Sequence, residues 1–221
     1  MDILDYKEPI TKIFFVRHGE TEANKKHLVF GQWDIDLNKT GVKQAKDIAI
    51  KLHVQDSEPA NRRTGGSASR EIDYIITSPL KRAKQTAQII AKKLGVKKII
   101  TDKNLIEKSE GLWQKKDYWQ IRNEDPVNYK KWIKDPLRVR PPGGESALDL
   151  NKRVKKFQKS ILKKYRSKNI IVVSHSGPIR LFLLNLLGAS IDKFWHLKIK
   201  CGSITEVHIS KKHSTIKSMN I

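Results

Sequence analysis

Apolar residues fall in short blocks whose period changes along the chain. Residues 10–16 read Ile-Thr-Lys-Ile-Phe-Phe-Val, a β-rich run that stops at an Arg-His-Gly turn. Asn38-Lys39-Thr40 then offers caps for a helix running to about His53, with Val42, Ala45, Ile48, Ala49 and Leu52 on one face. Residues 55–70 lack this order. They are rich in Ser, Gly, Arg and Pro, nearly empty of large apolar residues, and read as an exposed loop inserted within one domain. Residues 72–77 predict a second strand. Ser78-Pro79 supplies an N-cap and a first-turn proline for a helix whose buried stripe is Ala83, Ala87, Ile90 and Leu94 and which Gly95 stops. A short strand follows at 96–101.

Between residues 117 and 142 the chain is aromatic, charged and broken by four prolines, which predicts short helices laid over a core edge as a lid (about 114–142). Residues 145–165 then form a long amphipathic helix. Leu150, Val154, Phe157, Ile161 and Tyr165 make one face, while Lys152, Lys155, Lys156, Lys159 and Lys163 stay outside. Residues 170–173 are an apolar strand that ends at Ser174-His175-Ser176-Gly177. A helix runs from there through Leu187 and stops at Gly188, and residues 203–209 and 214–219 predict late strands, paired as a hairpin.

Strands alternating with helices predict an α/β domain whose mainly parallel sheet is covered on both faces, a three-layer α/β/α sandwich in a single domain spanning residues 1–221. Such sheets bind ligands at the C-terminal ends of their strands. Two of those ends hold a histidine, His18 and His175.

Composition narrows the setting. The net charge is +22, from 45 Lys and Arg against 23 Asp and Glu, and favours anionic partners: nucleic acid, an anionic surface or a phosphorylated metabolite. The lysines are spread along the whole chain rather than gathered, which favours solvated helix faces over a nucleic-acid patch. The one cysteine, Cys201, allows no intramolecular disulfide and suits a reducing, cytoplasmic compartment; it stands far from the candidate motifs in sequence and reads as buried. Residues 1–9 hold Asp2, Asp5 and Glu8 without an apolar core, unlike a secretory signal. The longest apolar stretch, residues 179–187, is interrupted by Arg180 and Asn185 and is too short for a bilayer, so no membrane is expected as partner.

The chemistry begins at Arg17-His18-Gly19. Imidazole attacks phosphorus near neutral pH without strong activation, and a neighbouring guanidinium can neutralise phosphoryl oxygens with its forked donors. Taken alone, the tripeptide fits an incidental half-buried histidine equally well. His175 stands at a strand-to-helix junction beside free backbone N–H groups that favour anions, and an N-cap region with an incidental histidine reads the same way. Arg82, early in its helix, either completes a cationic clamp or belongs to a solvated basic face with Lys81 and Lys84. Glu107 suits a group that protonates a leaving oxygen and then deprotonates water, though a surface glutamate beside Glu110 would look alike. The five Trp read as core and lid packing, with Trp113 and Trp119 near enough to Glu107 to line a pocket. His27, His53, His196, His208 and His213 show no metal-ligand spacing.

In their order these parts resemble the histidine phosphatase superfamily, in the branch that includes the cofactor-dependent phosphoglycerate mutases. The resemblance rests on Arg17-His18-Gly19-Glu20-Thr21 with Asn24, Gly31 and Thr40-Gly41, Thr77-Ser78-Pro79-Leu80 with Arg82-Ala83, Leu105 and Glu107 with Gly111 and Trp113, Pro142-Gly143-Gly144-Glu145-Ser146, and Val173-Ser174-His175-Ser176-Gly177 with Arg180. It implies a phosphoglycerate mutase-like fold and a phosphohistidine on His18. Arg17, Arg82 and His175 would bind the phosphoryl group, and Glu107 would be proton donor and base. Thr21, Asn24, Gly31 and Ser176 match positions near the phosphate. No metal or other cofactor is implied.

Two departures bear on substrate choice. The family often shows Glu-Trp-Glu-Gly after the catalytic Glu where this chain has Gly111-Leu112-Trp113-Gln114-Lys115, and a double glycine after the second His where it has Ser176-Gly177. The activity expected is hydrolysis of a small phosphorylated metabolite. The mutase reading uses the same groups, but mutases of this branch carry a longer insert between the positions of Glu107 and His175. A third reading, a basic binding protein with a vestigial site, needs a concentrated patch that the sequence lacks. Lid cations Lys115, Lys116, Lys130, Lys131, Arg138 and Arg140 would suit a second anionic group on the substrate.

Overall fold

A computed structural model describes residues 9–57 and 71–221 of the chain. Six strands form one sheet: β1 (Thr11–Arg17), β2 (Tyr74–Thr77), β3 (Ile99–Thr101), β4 (Asn169–Ser174), β5 (Ile204–Ile209) and β6 (Ser214–Met219). Their order is β3-β2-β4-β1-β5-β6. The first four strands in that order pair in parallel, and β5 runs antiparallel to both of its neighbours. The sheet is therefore mainly parallel, and β5–β6 is the expected hairpin.

The helices are α1 (Glu22–Lys25), α2 (Lys39–Ser57), α3 (Lys81–Leu94), α4 (Tyr118–Glu124), α5 (Pro126–Lys134), α6 (Ala147–Lys164) and α7 (Ser176–Leu186). Because strand side chains alternate, each strand feeds two cores. Ile13, Phe15, Ile170, Val172 and Val207 pack with Leu150, Val154, Phe157 and Ile161 of α6 and with Ile179, Leu181, Phe182, Leu183 and Leu184 of α7. Phe14, Val16, Ile75, Ile171 and Val173 pack on the other face with Ile48, Ala49 and Leu52 of α2 and Ala83, Ala87 and Ile90 of α3. This is the three-layer α/β/α arrangement. Val29, Trp113, Ile121 and Trp132 make a third, smaller core beneath α4 and α5.

Several expectations need correction. The helix read as ending near His53 continues to Ser57, so the start of the 55–70 loop is helical; residues 58–70 and 1–8 lie outside the described residues. The strand read at 96–101 is confined to Ile99–Thr101. Ser78 does not cap α3, which starts three residues later, with Leu80 at the N-cap and no side-chain cap of its own. The backbone N–H of Lys81 instead donates to Asp34 Oδ1 at 2.7 Å. Asn38 caps α2 as expected, its Oδ1 accepting from Gly41 N at 2.8 Å. No described helix is long and apolar enough to cross a membrane.

Candidate active site

The register of β1 against β4 assembles the site. Arg17 lies opposite Ser174, so the next residue on each strand, His18 and His175, leaves the sheet side by side. Their ring centroids are 5.1 Å apart and both residues are buried. His18 Nδ1 lies 2.7 Å from the carbonyl oxygen of Gly19. A carbonyl can only accept, so Nδ1 holds the proton and Nε2 the lone pair. Burial, then the charges of Arg82 and Arg17, push the imidazole well below the ordinary histidine range, so it is neutral at neutral pH. His175 is lowered likewise, by burial first and then by Arg82 and His18.

Arg82 is fully buried and reaches from the first turn of α3. Its Nε lies 3.3 Å from His18 Nε2, Nη2 donates to the Gly31 carbonyl at 2.7 Å, and Nη1 donates to the Trp33 carbonyl at 2.9 Å. The guanidinium also sits 4.9 Å over the Phe30 ring. Burial lowers its pKa to about 10, which leaves it charged at neutral pH. Gly31 suits this turn because its φ is +40° and a Cβ there would come within 2.7 Å of the Lys108 carbonyl. Gln114 answers one of the two departures. Its Oε1 accepts from Gln32 N and Trp33 N, at 2.8 Å each, so a neutral amide holds the carbonyl-bearing turn.

Ser78, at the end of β2, is a member of the site that the sequence reading missed. Its hydroxyl lies 2.8 Å from His175 Nε2. The Ser-Pro pair gave a local helix-start signal, and only the strand order reveals the partner.

Glu107 follows a 3-10 turn at Lys103–Leu105. Its carboxylate accepts from Lys108 N at 2.8 Å and from Gly177 N, near the start of α7, at 3.2 Å. A Cβ at Gly177 would overlap Glu107 Oε1, so the second glycine of the family's pair is the one this site needs, and Ser176 is tolerated before it. Arg153 fixes the loop from beneath. It donates to the carbonyls of Asn104 at 3.2 Å, Ile106 at 3.0 Å and Glu107 at 3.3 Å, and it pairs with the Glu145 carboxylate at 2.8 Å. Glu145 in turn accepts from Ser109 N at 2.9 Å.

A cavity of about 200 Å³ is walled by Arg17, Gly31, Glu107, Ser176 and Arg180, with Phe30, Tyr118, Phe194 and Trp195 among its apolar faces. His18 and His175 are chain neighbours of two of those walls. Arg17 donates from Nη1 to Ile199 O at 2.6 Å, and its buried Nε has no partner; nor has His175 Nδ1. Buried polar groups without a partner are rare in proteins, and a catalytic or ligand-holding role is one explanation for them. Thr21 and Asn24 do not wall the cavity. They form a mutual capping box on α1, Thr21 Oγ1 donating to Asn24 Oδ1 at 2.9 Å.

Other expectations fail. Neither Trp113 nor Trp119 lines the cavity: Trp113 is buried in the small core and Trp119 is exposed. Cys201 is not remote. Gly202 N donates to His18 O at 3.1 Å, and the thiol, raised mainly by burial, feels Arg17 and Arg82. None of the six lid cations walls the cavity. Lys116 pairs with Glu124, Arg138 with Asp135 and Arg140 with Asp149, and Lys115 lies over the Trp33 ring. Among the described residues no cluster of three or more His, Cys, Asp or Glu could hold a metal ion.

Known proteins resemble this chain over almost its full length. Phosphoserine phosphatase 1 of Hydrogenobacter thermophilus is 32% identical over 213 residues, covering 96% of this chain and 93% of that one. The alpha-ribazole phosphatase of Shigella flexneri superposes with a TM-score of 0.81 at 26% identity, covering 95% and 96% of the two chains. Phosphoserine phosphatase of Entamoeba histolytica, solved with 3-phosphoglyceric acid, gives 0.76 at 28% identity, covering 96% and 97%. The profile of the histidine phosphatase superfamily (branch 1) matches residues 13–221, and the chain belongs to that family.

Proposed function

We propose that the protein is a phosphatase that hydrolyses small phosphomonoesters through a phosphohistidine on His18. The observation behind this reading is the fixed tautomer: Nδ1 is committed to the Gly19 carbonyl, so the lone pair sits on Nε2 beside the Arg82 guanidinium. In the first step Nε2 bonds to phosphorus while the ester P–O bond breaks, and the leaving oxygen takes its proton from Glu107. In the second, water attacks the phosphohistidine, its proton goes to the Glu107 carboxylate and the P–N bond breaks. Arg17, Arg82 and His175, with backbone N–H groups at the start of α7, hold the phosphoryl oxygens; Gly31 and Ser176 wall the cavity, while Thr21 and Asn24 cap α1, three and six residues after His18. The scheme uses no metal and no other cofactor.

The relatives named as phosphatases support hydrolysis over mutase transfer, as does the short segment between Glu107 and His175. The reading takes the chain as one domain acting in the cytoplasm on a small metabolite rather than on nucleic acid.

The deciding experiment is rapid quench with a 32P-labelled phosphomonoester. An acid-labile, base-stable phosphoenzyme should form, vanish in His18→Asn, and persist unchanged with chelator. Normal turnover by His18→Asn would sink the mechanism, and loss of turnover with chelator would sink its metal-free form. Rapid isomerisation of 3-phosphoglycerate with a bisphosphoglycerate primer would replace the phosphatase by a mutase.

A further inference from the structure

In the proposed scheme Arg82 and Glu107 act on the same ester from different parts of the chain. Arg82 comes from α3 and serves the phosphoryl group; Glu107 comes from the loop after the 3-10 turn and serves the leaving oxygen. The segment that touches both is Gly31-Gln32-Trp33. Its two outer carbonyls accept from Arg82, Gly31 O from Nη2 at 2.7 Å and Trp33 O from Nη1 at 2.9 Å. Its middle side chain goes to the other group. Gln32 Nε2 donates to the Glu107 carbonyl at 2.9 Å and lies 3.4 Å from Glu145 Oε2. None of the steps above uses that amide.

The contact is framed on both sides. Gln114 Oε1 accepts from Gln32 N and Trp33 N at 2.8 Å each, which fixes the backbone that carries the Gln32 side chain. Arg153 Nη2 reaches the same Glu107 carbonyl at 3.3 Å and the same Glu145 Oε2 at 2.8 Å. The Gln32 amide and the Arg153 guanidinium therefore share both acceptors. A carbonyl oxygen has two lone pairs, and the two donors occupy those of Glu107. Of the two, only Gln32 belongs to the turn that holds Arg82.

We propose that Gln32 is a positioning residue that ties the Glu107 loop to the Arg82 turn, and so sets the distance between the proton donor and the clamped phosphoryl group. This rests on the phosphatase reading above. Its effect falls on proton delivery. As the ester P–O bond breaks, charge builds on the leaving oxygen. A basic alkoxide needs the Glu107 proton, whereas p-nitrophenolate leaves as a stable anion without it. Misplacing a reacting group by about 1 Å can cost about 100-fold.

The test compares kcat/KM of the full chain on β-glycerophosphate and on p-nitrophenyl phosphate, because kcat/KM reports loss of the leaving group and not the later hydrolysis of the phosphohistidine. Gln32→Met keeps the length of the side chain and removes the donor. It should lose about 10–100-fold on β-glycerophosphate and stay within about 3-fold of wild type on the aryl ester. Glu107→Gln should show the same split, with about 100–10,000-fold lost on the alkyl ester. Gln32→Asn keeps the amide but withdraws it by one methylene; it should show a weaker split, and it decides if Gln32→Met does not fold. A merely structural defect lowers the active fraction for every substrate alike. Equal losses on the two esters, or no loss on either, would thus overturn the positioning role while leaving the phosphatase intact. A wild type that hydrolyses neither ester, or a Glu107→Gln variant without the split, would overturn the scheme on which the proposal rests.

Discussion

Arg82 Nε lies 3.3 Å from His18 Nε2, so the buried guanidinium donates to the lone pair assigned to attack. The same cation lowers the pKa of that imidazole, second only to burial. Positioning and charge can therefore be separated. Arg82→Met removes both and should lower kcat/KM about 100–1000-fold, the cost of a lost transition-state donor. It should also move the acid limb of the pH–rate profile upward, because His18 regains basicity. Arg82→Lys should lose comparable rate with the limb unmoved, since an ammonium cannot serve His18, Gly31 and Trp33 together. An unmoved limb in Arg82→Met would refute the electrostatic assignment.

Ser78 gives His175 Nε2 its one partner, and Nδ1 of the same ring has none. Ser78→Ala leaves a buried polar ring unsatisfied, which costs about 1–3 kcal/mol. Thermal denaturation should register that loss, and kcat/KM should fall roughly tenfold as the ring loses its orientation. Ser78→Thr keeps the hydroxyl and should retain most of both. An unchanged melting temperature in Ser78→Ala would mean that the contact contributes nothing.

Lys115 stands where the family often has glycine, and its φ is +71°. The left-handed conformation costs a side-chain-bearing residue about 1–2 kcal/mol, while the lysine gains about 0.5–1 kcal/mol from lying over Trp33. Lys115→Gly should therefore stabilise by about 0.5 kcal/mol and raise Tm by about 1–2 °C. A lower Tm would show that the Trp33 contact outweighs the backbone strain.

Two buried histidines held neutral make stability depend on pH. In the unfolded chain each takes up a proton below about pH 6.5, whereas the native rings take it up only at a much lower pH. The unfolded state then binds more protons, so stability falls as pH drops below about 6.5, by up to about 1.4 kcal/mol per pH unit for each ring. Glu110 works in the opposite direction, because burial raises its carboxyl and the native state takes up that proton first. With two groups against one, urea midpoints should fall between pH 7.5 and 5.5. The double variant His18→Asn, His175→Asn should flatten the slope; a slope that survives in it would mean that other groups govern the acid limb.

The sheet was legible because its strands repeat an apolar pattern and end in turn residues, and α6 because its lysines and apolar residues separate cleanly by period. His18, Arg82, Glu107 and His175 were legible because each follows soon after a strand, where the connections gather at one rim. Ser78 was not. Its Ser-Pro signal is local, whereas its hydroxyl is claimed by a histidine 97 positions away and its capping role falls to Asp34. Arg180 was visible only as part of the resemblance, without a role; its place over Phe194 and Trp195 comes from the fold. The proximity of Cys201 to His18 comes from β5 pairing back onto β1, which sequence spacing does not reveal.

That pairing has a cost in time. β1 is synthesised before the other described strands, yet its two partners begin at Asn169 and Ile204. At ordinary translation rates Ile13, Phe14, Phe15 and Val16 wait roughly 8–30 s before either neighbour exists. Through that interval a nascent chain displays an unpaired apolar strand with both edges open, a template for association with other chains. A burst of refolding in vitro offers all the strands at once, so yield on the ribosome and yield from denaturant should respond differently to chaperones that cover extended apolar segments.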